Sequence, residues 1–236
     1  MNKLIIFVIV LSSISFINQQ ISEFNRKITK NIYKTFSDVK SINQEATFTS
    51  QKIPKHIYEN MLGKSIPLEY KDDVDITSLC YLQVSYFDFN NKSNIGELIV
   101  NSKIANDVLD IFKELYEIKY PLEKIKLIDE YSGNDTLSMS DNNTCSFCYR
   151  VVSGTSKLSK HSNGTAIDVN PLYNPYVANN YVSPVSGMLY ANRSINNKHQ
   201  INRNDALYKI FINHGWSWGG NWHNKKDYQH FEKQIN

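Results

Sequence analysis

The stretch Ser159–Pro171, reading SKHSNGTAIDVNP, constrains this chain more than any other. Gly164 separates His161 from the run Thr165–Val169, and Pro171 stops that run. Its apolar and β-branched residues predict a strand. Alternation then places Ala166 and Asp168 on one face, and Ile167 and Val169 on the other. A turn at the glycine followed by such a strand brings an imidazole and a carboxylate together at one sheet edge. A second piece, Asp227-Tyr228-Gln229-His230-Phe231-Glu232, follows the Gly219-Gly220 turn near the C-terminus. Two histidines and one carboxylate are a workable ligand set for catalytic zinc, leaving a fourth position for water. A further carboxylate nearby can take that water's proton. Asp227 is the candidate for that role, although spacing alone does not say which aspartate is ligand and which is base.

The remaining pattern is mixed. Leu79–Phe89 is aromatic and β-branched with partial alternation, which predicts a strand. Ile104, Val108, Ile111, Phe112 and Leu115 recur at helical spacing within Ile104–Tyr116. Ile125–Ile128 reads as a further short strand, and Tyr173–Ser186, with its Asn-Pro and Ser-Pro steps, as an irregular loop. Asp205–His214 reads as a helix stopped at Gly215, and a short strand closes the chain. Helices and strands without βαβ regularity predict an α+β fold.

Lys3 followed by the apolar run Leu4–Leu11 has the pattern of a secretory signal, and the run is shorter than the roughly 20 apolar residues of a membrane span. Residues 1–20 are therefore read as a signal peptide or N-terminal membrane anchor, 21–52 as a polar linker or stalk, and 53–236 as the functional domain. The expected location is outside the cytoplasm. A net charge of +3 over 236 residues, with no basic cluster, excludes a nucleic-acid-binding role. The abundant asparagines are read as compositional bias. Three cysteines, Cys80, Cys145 and Cys148, predict a structural bridge or buried thiols ahead of a redox pair or half a zinc knuckle.

The H-x6-D motif followed downstream by D-x-x-H resembles the D-alanyl-D-alanine carboxypeptidase and L-alanyl-D-glutamate endopeptidase family. These bacterial zinc peptidases share a fold with the Hedgehog signalling domain. The resemblance runs from about Ile53 to the end, through GELIV at Gly96–Val100, DEYSGND at Asp129–Asp135, SMSDNNT at Ser138–Thr144, AIDVNPLYNPYV at Ala166–Val177, GWSWGGNW at Gly215–Trp222 and KDYQHFE at Lys226–Glu232. It implies a small antiparallel sheet with flanking helices. It also implies one Zn²⁺ held by His161, Asp168 and His230, Asp227 as general base, and Arg150 as the arginine that polarises the scissile carbonyl or holds the oxyanion. The implied partner is a peptidoglycan stem peptide, and a monomer is expected. Cys145 and Cys148 depart from the serine and asparagine expected there. A non-catalytic zinc-containing wall-binding module of the same fold is the alternative, and Asp227, which a purely structural site would not need, weighs against it.

Other residues are assigned less. Trp216, Trp218 and Trp222 read as core packing ahead of a substrate platform. His223 is a rival ligand by its closeness to His230, Glu232 a candidate neighbour of a ligand, and Tyr131 and Ser138 cleft residues by resemblance.

Overall fold

The long apolar strand and the amphipathic helix predicted from the sequence pack against each other at the centre of the fold. The computed structural model describes residues 19–33, 45–152, 154–179, 181–195 and 197–235. It divides into two units, Met1–Glu45 and Ala46–Asn236. In the first, residues 19–33 form a helix (α1) whose Ile21, Phe24, Ile28 and Ile32 side chains are exposed. Most of the expected signal segment lies outside the described residues. No helix among the described residues is long and apolar enough to cross a membrane.

The second unit opens with β1 (Phe48–Lys52), within the segment read as linker, and a short helix α2 (Lys55–Met61). Strand β1 pairs antiparallel with β2 (Leu79–Phe87), which pairs antiparallel with β3 (Ser93–Asn101). Almost every β2 residue is buried because both faces of this sheet are covered. Cys80, Leu82, Val84 and Tyr86 face helix α3 (Ala105–Glu117), whose Val108, Ile111, Phe112 and Leu115 are buried in the same cluster. Leu79 and Tyr81 face the other way, onto Met61, Ile66, Ile99 and Phe147. The helical stripe predicted from the sequence is thus the stripe that packs.

Beyond α3 come a short parallel pair, β4 (Lys124–Ile125) with β5 (Asn143–Thr144), and helix α4 (Asp135–Ser140) between them. The predicted strand at Ile125–Ile128 is shorter than expected, because Ile128 already begins a 3-10 turn. Strand β6 (Ala166–Asp168) follows. The segment read as a loop contains a hairpin, β7 (Tyr176–Ala178) and β8 (Tyr181–Ser183), followed by helix α5 (Met188–Ala191). Helix α6 (Ala206–Asn213) is capped by the Asp205 side chain, which accepts from Leu207 N, and Gly215 beyond it has φ +77°. Three short strands close the chain: β9 (Ser217–Trp218), β10 (Lys226–Asp227) and β11 (His230–Glu232). They form two sheets, β6-β11-β9 and β10-β7-β8. The fold is α+β, with small antiparallel sheets and helices around them.

Candidate metal centre

Alternation along β6 and β11 divides these strands between core and site. Their antiparallel register sets Ile167 opposite Phe231 and Asp168 opposite His230. Ile167 and Phe231 are fully buried in the main core, so strand geometry turns Asp168 and His230 to the other face. A one-residue slip would send both polar groups into the core, so the hydrophobic pattern of the strands fixes the pairing. On its other side Asp168 is bracketed by Cys145: Cys145 N donates to the Asp168 carbonyl at 3.1 Å and Asp168 N to the Cys145 carbonyl at 2.9 Å.

His161 arrives from the 3-10 turn Lys160–Asn163, capped by the Ser159 hydroxyl and ended by Gly164 at φ +63°. A Cβ on Gly164 would stand 2.6 Å from Asn101 N, so both the left-handed backbone and the close approach require glycine. Gly219 is constrained from the site side: a Cβ there would lie 2.8 Å from the Asp227 Cβ and 3.3 Å from the His230 Cβ.

The three side chains meet in a buried cluster, with their ligand atoms within 4.8 Å of one another. His161 Nε2 lies 3.2 Å from His230 Nδ1, His230 Nδ1 lies 3.0 Å from Asp168 Oδ1, and His161 Nε2 lies 3.3 Å from Asp168 Oδ2. These separations match the edge of a tetrahedron of zinc ligands, about 3.3 Å for metal–nitrogen bonds of about 2.0–2.1 Å. The hydrogen bonds behind the rings point to the same occupant. His161 Nδ1 faces the Ser146 carbonyl at 2.5 Å, and His230 Nε2 faces Glu232 Oε2 at 3.2 Å. Each outer nitrogen therefore donates its hydrogen outward, so that with both rings neutral two nitrogen lone pairs and a carboxylate converge on one point. Such a set of donors can hold a cation.

The electrostatics agree. Burial disfavours charge on His230, but hydrogen bonds to Asp168 and Glu232 and the charges of Asp168 and Asp227 overcome it, raising its pKa to about 10. Burial would likewise raise the carboxyl of Asp168, but His161 and His230 hold it far below the usual carboxylate range. The pocket therefore stabilises positive charge where the three donors meet.

These side chains lie in a cleft of about 690 Å³ that also contains Asp227, Arg150 and Trp222. Asp227 is carried on β10, opposite Tyr176, so it stands on a different sheet from Asp168 and His230, joined to His230 by Tyr228 and Gln229. That connection is bolted down: Trp218 Nε1 donates to the Tyr228 carbonyl at 2.9 Å, and Val169 N to the Gln229 carbonyl at 3.0 Å. Gln229 Nε2 donates to Asp227 Oδ1 at 3.2 Å. Burial, and then the charge of Asp168, push the Asp227 carboxyl up to about 6.

Arg150 Nη2 is held by Asp135 Oδ2 at 3.0 Å, at the start of α4. The two cysteines near it are free and buried, as is Cys80. Burial first, then the nearby charge of Asp135, pushes the Cys148 thiol up to about 12, so it stays protonated beside the guanidinium. Of the two expectations for the cysteines, a structural bridge or buried thiols, the structure shows buried thiols.

Several residues take places the sequence did not foresee. Trp216 and Trp218 are core residues, as their sequence reading has it, but the Trp222 ring lies 5.5 Å from that of His230 and lines the cleft. His223 is exposed, and His161, Asp168 and His230 form the one such ligand group among the described residues. Tyr131 and Ser138 stand behind the cleft: the Tyr131 hydroxyl donates to Asp141, and the Ser138 hydroxyl accepts from Asn143. The asparagines are more than composition. Asn170, fully buried at φ +44°, accepts from Glu123 N and donates to the Pro121 carbonyl. Asn174 accepts from Ile201 N and donates to the carbonyls of Asn170 and His199. Together they fix the chain just beyond Asp168.

A family model described as D-alanyl-D-alanine carboxypeptidase matches residues 153–233, so over that segment the chain is similar to this family. The matched segment contains His161, Asp168, Asp227 and His230, and begins just after Arg150. No curated protein and no solved structure gives a match.

Proposed function

We propose that this protein is an exported zinc-dependent peptidase that hydrolyses peptide bonds in peptidoglycan stem peptides, of the D-Ala-D-Ala or L-Ala-D-Glu type. The observation that carries this reading is the convergence of His161 Nε2, Asp168 and His230 Nδ1 in a cleft that also holds Asp227 and Arg150. The family match over residues 153–233 supports the reaction class, and the basic, apolar start of the sequence supports export.

Bound by the three donors, zinc would supply a Lewis acid that acidifies water and polarises a carbonyl. Asp227 takes the proton of the attacking water and returns it to the leaving amine, a role suited to a carboxyl that lines the cleft beside the three donors and is held by Gln229. The Arg150 guanidinium, aligned by Asp135, offers fixed positive charge to the scissile oxygen as negative charge develops there. Lys157, Lys160 and Lys225 are exposed at the mouth of the cleft. They favour a peptide rich in free carboxylates, as wall stem peptides are.

Digestion of purified peptidoglycan by the wild type and by Asp227→Ala tests this. The wild type should release new amino groups or D-alanine, and the variant should be about 100-fold slower or worse. If neither releases product while each binds one zinc, the chain is a zinc-containing wall-binding module instead.

A further inference from the structure

We propose that Glu232 is a positioning residue of the metal centre: its carboxylate holds the His230 ring with Nδ1 turned to the cation, and so sets the affinity of the cluster for metal. The inference rests on the zinc reading above.

Three observations on β11 carry it. Phe231 points into the core, so alternation puts Glu232 on the same face as His230, two residues back. Its Oε2 lies 3.2 Å from His230 Nε2, the nitrogen opposite the ligand atom. The backbone of Glu232 is paired on both sides, with Ala166 of β6 and Ser217 of β9, so its Cα is placed without help from the side chain. The carboxylate is thus free to act on the imidazole rather than needed to build the strand.

The two histidines are held by unequal partners. His161 donates to a neutral backbone carbonyl, that of Ser146, whereas His230 donates to an ionisable carboxylate. A carboxylate behind an imidazole fixes its tautomer and makes the opposite nitrogen a stronger donor to metal. Of the two imidazoles, His230 is the one whose donor strength a side-chain change can alter. Glu232 also lines the cleft, so a substitution there can be accommodated without repacking the core.

The test compares the zinc affinity of metal-stripped wild type, Glu232→Ala and Glu232→Gln by competition with a chelator, with the melting temperature of each stripped protein measured alongside. Glu232→Ala should bind zinc about 10- to 100-fold more weakly. Glu232→Gln should recover part of that loss, because its amide oxygen still accepts from Nε2. Melting temperatures of the stripped proteins should stay close together. Equal zinc affinity in all three would overturn the role of Glu232 and leave the zinc reading standing. A lowered melting temperature with unchanged affinity would do the same, by making Glu232 structural. A wild type that binds no zinc would end both.

Discussion

Asp227 has to be ionised to accept a proton, and its carboxyl is pushed up to about 6 by burial and by Asp168. That value belongs to the metal-free protein; the charge of a bound cation would favour the ionised carboxylate and shift its titration downward. The kcat/KM for a wall peptide should therefore rise about tenfold per pH unit over an acid limb that ends at or below about pH 6 and then level off. A rate that falls as pH rises through the same range would contradict the assignment. Gly164 invites a different measurement. Gly164→Ala would strain a left-handed residue and press a methyl onto Asn101 N. It should lower stability by more than about 1 kcal/mol, read by denaturant unfolding. At this scale the sequence was most legible where chemistry is concentrated. His161, Asp168, Asp227 and His230 stand out because ligand-type residues recur beside a glycine turn and a short strand. What stayed hidden depends on the fold. The Ser146 carbonyl has no side-chain signature, Trp222 differs from its two buried neighbours only in where its chain segment runs, and buried asparagines look like composition until their partners are known.

Helices α3 and α6 are tied by a polar clamp rather than by apolar contacts alone. Asp107 on α3 accepts from His214 Nδ1, Trp216 Nε1 and Lys233 Nζ, each at 2.7 Å, while His214 Nε2 reaches Glu114 at 2.8 Å. Burial opposes charge on His214, but its bonds to Glu114 and Asp107 win and raise its pKa. The stability it adds is therefore fully present below the ordinary histidine value of about 6.5 and is lost as pH rises through the higher folded value. The stability gap between wild type and His214→Gln should be widest near pH 5–6 and close in alkaline solution. A gap that widens with pH would refute the clamp. Burial also opposes charge on Asp107, but Lys233, His214 and Trp216 hold its pKa down. Its contribution is present above the ordinary aspartate value and lost as pH falls through the depressed one. Elements with strong periodicity were readable: β2 and α3 carry their buried faces in the order of their residues. The β7–β8 hairpin was not, because strands of three residues flanked by Asn-Pro and Ser-Pro steps give alternation too little length to show.

Taken whole, Ala46–Asn236 is built around one sheet whose polar edge strand was the hardest part to recognise. The sequence FTSQK of β1 reads as stalk because four of its five residues are exposed, yet it covers the edge of β2 from Val84 to Cys80. Phe48 adds an edge-on contact with Tyr116 at 5.8 Å. Compared with a chain starting at Ala46, one starting at Ile53 should lose about 2 kcal/mol, or about 4–8 °C at this size, and aggregate through the bared β2 edge. Equal melting of the two would show that β1 contributes nothing. The sheet, α3 and the C-terminal strands together place His161, Asp168 and His230 around one point, and the proposed chemistry depends on that convergence. The most direct test is the zinc content of the purified protein after zinc loading and exhaustive dialysis, for wild type and Asp168→Ala. Each wild-type chain should retain one zinc, and a folded variant almost none. A wild type without zinc, or a variant holding as much as the wild type, would contradict the proposed chemistry.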